Sequence, residues 1–222
     1  MTTSELPAAV RSFFIPGPAG QLEALLNAGA PDAPCAALVC HPHPLYGGTM
    51  HNKVVFHAAK AFNAHGLPTL RFNFRGAGLS QGHHDQGRGE ADDVRAALAW
   101  LKAEFNLPIL FAGFSFGAGV GLKPAAATPG IAALVSIGMP IQVEDRLYSY
   151  SFLRSVAMPK LIVSGDRDQF ATVEQLRAVA SALSEPKQLT IIKGADHFFE
   201  PGFLPDLRTT VEDWTARFLQ SR

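Results

Sequence analysis

Leu107-Pro108-Ile109-Leu110-Phe111-Ala112 runs into Gly113-Phe114-Ser115-Phe116-Gly117, and that into Ala118-Gly119-Val120-Gly121-Leu122. The first six residues form an apolar run of strand length opened by a proline. The last five are small and apolar, suited to a helix start packed tightly on a sheet. A serine with glycine two positions away on each side meets the demands of a strand–turn–helix elbow. Such a turn strains the serine backbone, and bulkier residues at the glycine positions would collide. Its consequence is one hydroxyl lifted clear of a sheet edge.

The same alternation extends in both directions. Upstream, Arg11–Ile15 and Gln21–Asn27 read as two antiparallel strands joined by Pro16-Gly17-Pro18-Ala19-Gly20. Ala36–Cys40 is a continuous apolar run of buried-strand type. A proline- and glycine-rich loop, 41–49, leads to a helix over 50–65, stopped by Gly66 and Pro68. A strand over 69–74 and a loop over 75–82 follow. The next helix opens with Glu90, Asp92 and Asp93, an acidic first turn suited to the positive helix end. Downstream, strands are expected at 131–137, 160–164 and 188–192, with helices at 147–156 and 173–184. Thr172 and Gln175 have capping-box spacing for the second of these helices. A closing helix carries Leu207, Val211, Trp214 and Phe218 as a core stripe, with Pro205 near its first turn. Pro124 should kink or end the helix after the elbow near Lys123. Repeated strand–helix units after an antiparallel pair predict an α/β fold: a mostly parallel sheet with helices on both faces, in one domain over 1–222.

Composition narrows the function classes. An apolar content of 47% over 222 residues supports a sizeable core, and 17% charged residues is too few for a solvated chain. Nineteen basic and nineteen acidic residues, with no long like-charge block, argue against nucleic acid or an anionic membrane as partner. No apolar run reaches spanning length, and Met1–Val10 lacks the pattern of a signal segment. Cys35 and Cys40 flank one strand, too far apart when extended to form a disulfide. Reduced core thiols and a cytoplasmic setting are the expectation.

Ligands on such sheets bind beyond the carboxyl ends of the strands, and the candidate chemistry clusters there. A serine hydroxyl needs a base, usually histidine, oriented by a carboxylate. Of eight histidines, His197 stands in the loop after the last strand, Gly194-Ala195-Asp196-His197. Gly165-Asp166-Arg167-Asp168 follows another strand. Asp168 is preferred as the orienting acid because it lies deeper in the loop, whereas Asp166 can cap the turn or pair with Arg167. Asp196 points away from its neighbour along an extended chain. An oxyanion needs N–H donors: Phe116, at the helix start, supplies one. After Cys40, Pro42 and Pro44 have no N–H, so His43 is the nearest second donor, with Leu45 next. His41, Leu45, Tyr46, Phe114 and Phe198 are candidate pocket residues, His41 and His43 serving as walls or loop anchors.

Other motifs point elsewhere. Neither His41/His43 nor His83/His84/Asp85 has the helical spacing of a zinc site, so no metal is expected. Gly76-Ala77-Gly78 lacks the third glycine of a dinucleotide loop, and no cofactor is implied. Arg71 and Arg75 could bind an acidic substrate group or pair with the helix start at Asp92/Asp93.

On Gly113–Gly117, Gly165–Asp168 and Asp196-His197, in the order Ser, Asp, His, the sequence resembles the α/β-hydrolase superfamily over nearly its whole length. Arg71-Phe72-Asn73-Phe74-Arg75-Gly76 and Gly48-Thr49-Met50-His51-Asn52-Lys53 resemble more narrowly small bacterial hydrolases near dienelactone hydrolase. The resemblance implies an eight-stranded sheet with Ser115 as nucleophile, His197 as base, Asp168 as acid, and Phe116 and His43 as oxyanion donors. Dienelactone hydrolases carry cysteine where this chain has Ser115, and the usual His-Gly of the oxyanion loop is His41-Pro42 here. Larger relatives insert a cap after the sixth strand, where residues 138–159 leave room for a minimal lid at most. The function expected is a serine hydrolase acting on small-molecule carboxylic esters of short to medium acyl chain. A peptidase or acyltransferase with the same triad, or a non-catalytic binding module, are the alternatives. The open sheet edges would allow a homodimer.

Overall fold

A computed structural model describes residues 10–221; the segment read above for a signal sequence lies almost wholly outside them. In chain order the sheet strands and helices begin with β1 (Val10–Gly17), β2 (Gly20–Asn27), β3 (Ala36–Cys40), α1 (Lys53–Asn63), β4 (Thr69–Phe72) and α2 (Arg88–Phe105). They continue with β5 (Ile109–Phe114), α3 (Phe116–Ala127), β6 (Ile131–Ile137) and a small hairpin, β7 (Gln142–Val143) and β8 (Arg146–Leu147). Last come β9 (Lys160–Gly165), α4 (Val173–Ala182), β10 (Lys187–Ile192) and α5 (Leu204–Gln220).

Eight strands form one sheet in the order β1-β2-β4-β3-β5-β6-β9-β10. The β1–β2 and β2–β4 pairings are antiparallel and the others parallel. Strand alternation explains why both faces are covered. Ala36, Leu38 and Cys40 of β3 join the core under α2, α3 and α4, while Ala37 and Val39 face the core under α1 and α5. In β5, Ile109 and Phe111 go to the first core, and Leu110, Ala112 and Phe114 to the second. The expected stripe Leu207, Val211, Trp214 and Phe218 is buried in that second core, Trp214 stacked on Phe218 with ring centroids 5.6 Å apart. The expected capping box is present: Gln175 N–H donates to Thr172 Oγ1 (3.2 Å) and Thr172 N–H to Gln175 Oε1 (2.8 Å).

Three expectations need correction. The segment 147–156 is not a helix. The β7–β8 hairpin precedes a short 3-10 turn, Ser151–Ser155. Tyr150 fixes it, its buried hydroxyl donating to the Pro140 carbonyl at 2.8 Å. Second, α3 runs through Pro124 to Ala127. Proline deletes one helical N–H, but Pro124 and Ala125 are buried, and Thr128 Oγ1 donates to the Pro124 carbonyl at 2.8 Å. Packing outweighs the local penalty. Third, of the two roles open to Asp93 the pairing with Arg75 holds and the helix dipole does not, since α2 begins at Arg88 and Asp93 lies past its first turn. It is fully buried and takes the Arg75 guanidinium at 2.7 Å, tying the loop after β4 to α2. Arg71 is also buried, donating to the Met50 carbonyl at 3.0 Å. Among the described residues, no helix is long and apolar enough to cross a membrane.

Candidate active site

The elbow is built as its glycines require. Ser115 sits between β5 and α3 at φ 53°, ψ −117°, a region that side chains other than glycine rarely occupy. A Cβ on Gly113 would lie 2.5 Å from the Ala118 nitrogen, so only glycine lets α3 turn back over β5. A Cβ on Gly117 would lie 2.6 Å from the Cys40 carbonyl oxygen, so its absence lets the loop after β3 approach the elbow. The strain is held by hydrogen bonds: Ser115 N–H donates to the Ile137 carbonyl, and its own carbonyl accepts from Ala118 and Gly119, all at 2.9 Å.

His197 and Asp168 come from loops after β10 and β9. Gly165 permits the Ala195 carbonyl to pass where a Cβ would stand, and Arg167 N–H donates to that carbonyl at 3.0 Å. The flanking aspartates brace these loops. Asp166 Oδ1 accepts from Gly194 N–H (2.6 Å), and Asp196 Oδ1 from Phe198 and Glu200 N–H (3.0 and 2.8 Å). Asp168 Oδ2 lies 2.8 Å from His197 Nδ1, and His197 Nε2 lies 2.9 Å from Ser115 Oγ. Both the imidazole and the carboxylate are buried. The network assigns the proton to Nδ1, leaving Nε2 to accept from the serine hydroxyl. Two further groups hold Asp168: Ser164 Oγ donates to Oδ2 and Phe170 N–H to Oδ1, each at 2.9 Å. The imidazole is gripped by rings, with centroids of Phe170 at 4.5 Å, Phe114 at 5.1 Å and Phe198 at 5.2 Å. Sequence reading identified neither Ser164 nor Phe170, since only the folded loop brings them to Asp168 and His197.

Phe116 and His43 both border the cleft above Ser115. Among the described residues, the N–H groups of Phe116 and His43 meet no acceptor. The second expected donor, Leu45 N–H, is already given to His43 Nδ1 at 3.3 Å. The His43 ring packs on Phe116 (4.6 Å) and on His84 (4.8 Å), whose Nδ1 lies 2.7 Å from the buried Glu90. Burial lowers the His43 pKa from its ordinary value, with the neighbouring His84 and Arg146 acting in the same direction.

The cleft has a volume of about 280 Å³. Tyr46 and Phe198 line it as expected, but His41, Leu45 and Phe114 do not. His41 is fully buried as a loop anchor: Nε2 accepts from Phe74 N–H (2.9 Å), and Nδ1 donates to the Pro42 carbonyl (2.6 Å). Desolvation lowers its pKa to about 4. Leu45 turns to solvent, and Phe114 is buried behind His197. In their place stand Pro140, Val143, Glu144 and Tyr148 of the hairpin region, together with Phe170. Of these only Tyr148 falls in 147–156, the segment that reads as a helix; the others reach the cleft through the hairpin and the loop after β9, which bring together residues distant along the chain.

Other motifs are structural. Gly78 lies against Asn73, whose Nδ2 donates to Glu23 Oε2 at 2.7 Å and whose Oδ1 accepts from Met50 N–H at 2.7 Å. The glycine-rich loop is therefore a brace between β2 and the segment before α1. Among the described residues, no three His, Cys, Asp or Glu side chains are grouped to hold a metal ion.

A serine elbow on the fifth strand of such a sheet, open beneath a short hairpin, defines the lidless α/β-hydrolase class. The chain belongs to the α/β-hydrolase family: the model described as "Alpha/beta hydrolase domain" matches residues 38–215. It is similar to an α/β serine hydrolase homologue from Coxiella burnetii, with 41% identity, TM-score 0.83, and coverage of 91% of this chain and 96% of that one. It is also similar to a serine hydrolase without lid from Xanthomonas campestris, with 35% identity, TM-score 0.84 and 96% coverage of each chain. An uncharacterized protein of Rickettsia prowazekii is 40% identical over 197 residues, 84% of this chain and 81% of its own.

Proposed function

We propose that the chain is a serine esterase, cleaving carboxylic esters of short to medium acyl chain through an acyl-enzyme. The observation that carries this reading is the unbroken hydrogen-bonded line from Ser115 Oγ through His197 to Asp168. Ser115 Oγ attacks the ester carbonyl as His197 Nε2 takes its proton. The imidazolium is stabilised by Asp168, which stays ionised. The oxyanion is received by the N–H groups of Phe116 and His43. Collapse of the tetrahedral adduct expels the alcohol, protonated by His197. A water, deprotonated by the same imidazole, then releases the acid and restores the serine. The small, largely apolar-walled cleft supports a short or medium acyl group.

A fluorophosphonate probe should label the native protein and not Ser115→Ala. Acetyl and butyryl nitrophenyl esters should be hydrolysed, with kcat falling by about 10⁴-fold or more in Ser115→Ala. Equal labelling of both forms, or inertness toward both esters, overturns the reading.

A further inference from the structure

The cleft is asymmetric in charge. Its lining includes one acidic side chain, Glu144, and no lysine or arginine. Glu144 stands at the turn of the β7–β8 hairpin in the left-handed region, φ 51°, which aims the turn against the loop after β3. There its Oε1 accepts from the Tyr46 hydroxyl at 3.3 Å. That long bond is the carboxylate's one side-chain partner; among the described residues no cationic group pairs with it. Nearby cations are committed elsewhere. Lys53 pairs with Glu200 at 2.6 Å, and Arg146 donates to the Gln86 carbonyl at 3.1 Å while its guanidinium sits 4.6 Å from the Tyr148 ring centroid.

The walls beside Glu144 are aromatic. Tyr46 comes from the loop after β3, Phe170 and Phe198 from the loops that carry Asp168 and His197, and Tyr148 follows the hairpin. Tyr148 is held flat by Gly119, where a Cβ would come within 2.4 Å of the ring. A carboxylate without a paired cation, lining a cleft that Tyr46, Tyr148, Phe170 and Phe198 also line, attracts a positive group by charge, and rings that turn a face to it add their quadrupoles. It repels an anionic one.

On the esterase reading above, we infer that this cleft selects esters bearing an alkylammonium group, seated against Glu144 among the rings of Tyr46 and Tyr148. Glu144 is the specificity-determining residue. Arg146, over Tyr148, is the opposing charge that limits the preference.

The test uses two esters of one shape: 2-(trimethylammonio)ethyl butyrate and its carbon isostere, 3,3-dimethylbutyl butyrate. Calorimetric binding to Ser115→Ala separates recognition from turnover. The cationic ester should bind about fivefold more tightly at low salt, and the gap should narrow as salt rises. Adding Glu144→Gln should close the gap, Glu144→Lys should invert it, and Arg146→Gln should widen it. Equal binding of the two esters, loss of affinity for both alike in Glu144→Gln, or no binding of either overturns the inference. Turnover by the native protein then tells the two readings apart. Tighter binding of the cation with neither ester cleaved leaves the charge preference standing and removes the esterase. Cleavage of both at equal kcat/KM, with equal binding, removes the preference alone.

Discussion

Asp166, Asp168 and Asp196 all lie on the two loops that meet at the imidazole, and their partners separate them. Asp166 and Asp196 are spent on backbone N–H groups, while Asp168 faces His197 Nδ1. Asp168→Asn keeps the shape but offers an amide that favours the wrong imidazole tautomer. It should lower kcat by about 10⁴-fold with little change in stability, measured by steady-state kinetics beside a denaturation curve. His41 makes a separate prediction. It is buried neutral, with a pKa of about 4 in the folded chain against about 6.5 when unfolded. Between those values the unfolded chain binds a proton that the folded chain excludes. The stability present above pH 6.5 is therefore lost as pH falls toward 4, by about 3 kcal/mol for this group over the whole window. Urea midpoints at pH 7, 5.5 and 4.5 should fall in that order, and less steeply in His41→Gln.

At the scale of elements, the elbow and the loop after β3 form one unit joined through Gly117. A methyl there must push the Cys40 and His41 carbonyls outward, since it would lie 2.6 and 2.7 Å from them. Gly117→Ala should destabilise by about 1–3 kcal/mol. It should also lower kcat by about 10²-fold, because the His43 N–H moves with the loop. Thermal melts and nitrophenyl ester kinetics check the two effects. The hairpin is the contrasting element. Gln142–Leu147 has no glycine to announce its turn, and Glu144 supplies the left-handed position instead. The segment that follows, 147–156, reads as helix, and Tyr150 reaching Pro140 and Tyr148 lying on Gly119 show why it is not.

For the whole molecule, the features legible in sequence are those dictated along the chain. The continuous apolar runs of β3 and β5, the stripe of α5 and the Thr172 capping box each depend on neighbours within a few residues. The features that escaped depend on remote segments meeting. Tyr46 and Glu144 are 98 residues apart, and the His84 ring meets those of His43 and Phe116 across the fold, with centroids 4.8 and 5.7 Å away. The hairpin's share of the cleft lining, Val143 and Glu144, escapes for the same reason, whereas Tyr46 and Phe198 were expected. The short connection over 138–159 leaves Ser115 half-buried beneath a hairpin instead of a cap. No lid has to open, so turnover of a butyryl ester should rise hyperbolically through its solubility limit, without a jump when droplets form. Rate against ester concentration across that limit is the measurement.

The order in which the relay is assembled has a bearing on synthesis. The ribosome delivers the hydroxyl first, the carboxylate some fifty positions later and the imidazole only after β10, the outermost strand on its side of the sheet. On the proposed reading, a chain interrupted before that strand holds Ser115 without the imidazole that hydrogen-bonds it, and should not react with a fluorophosphonate.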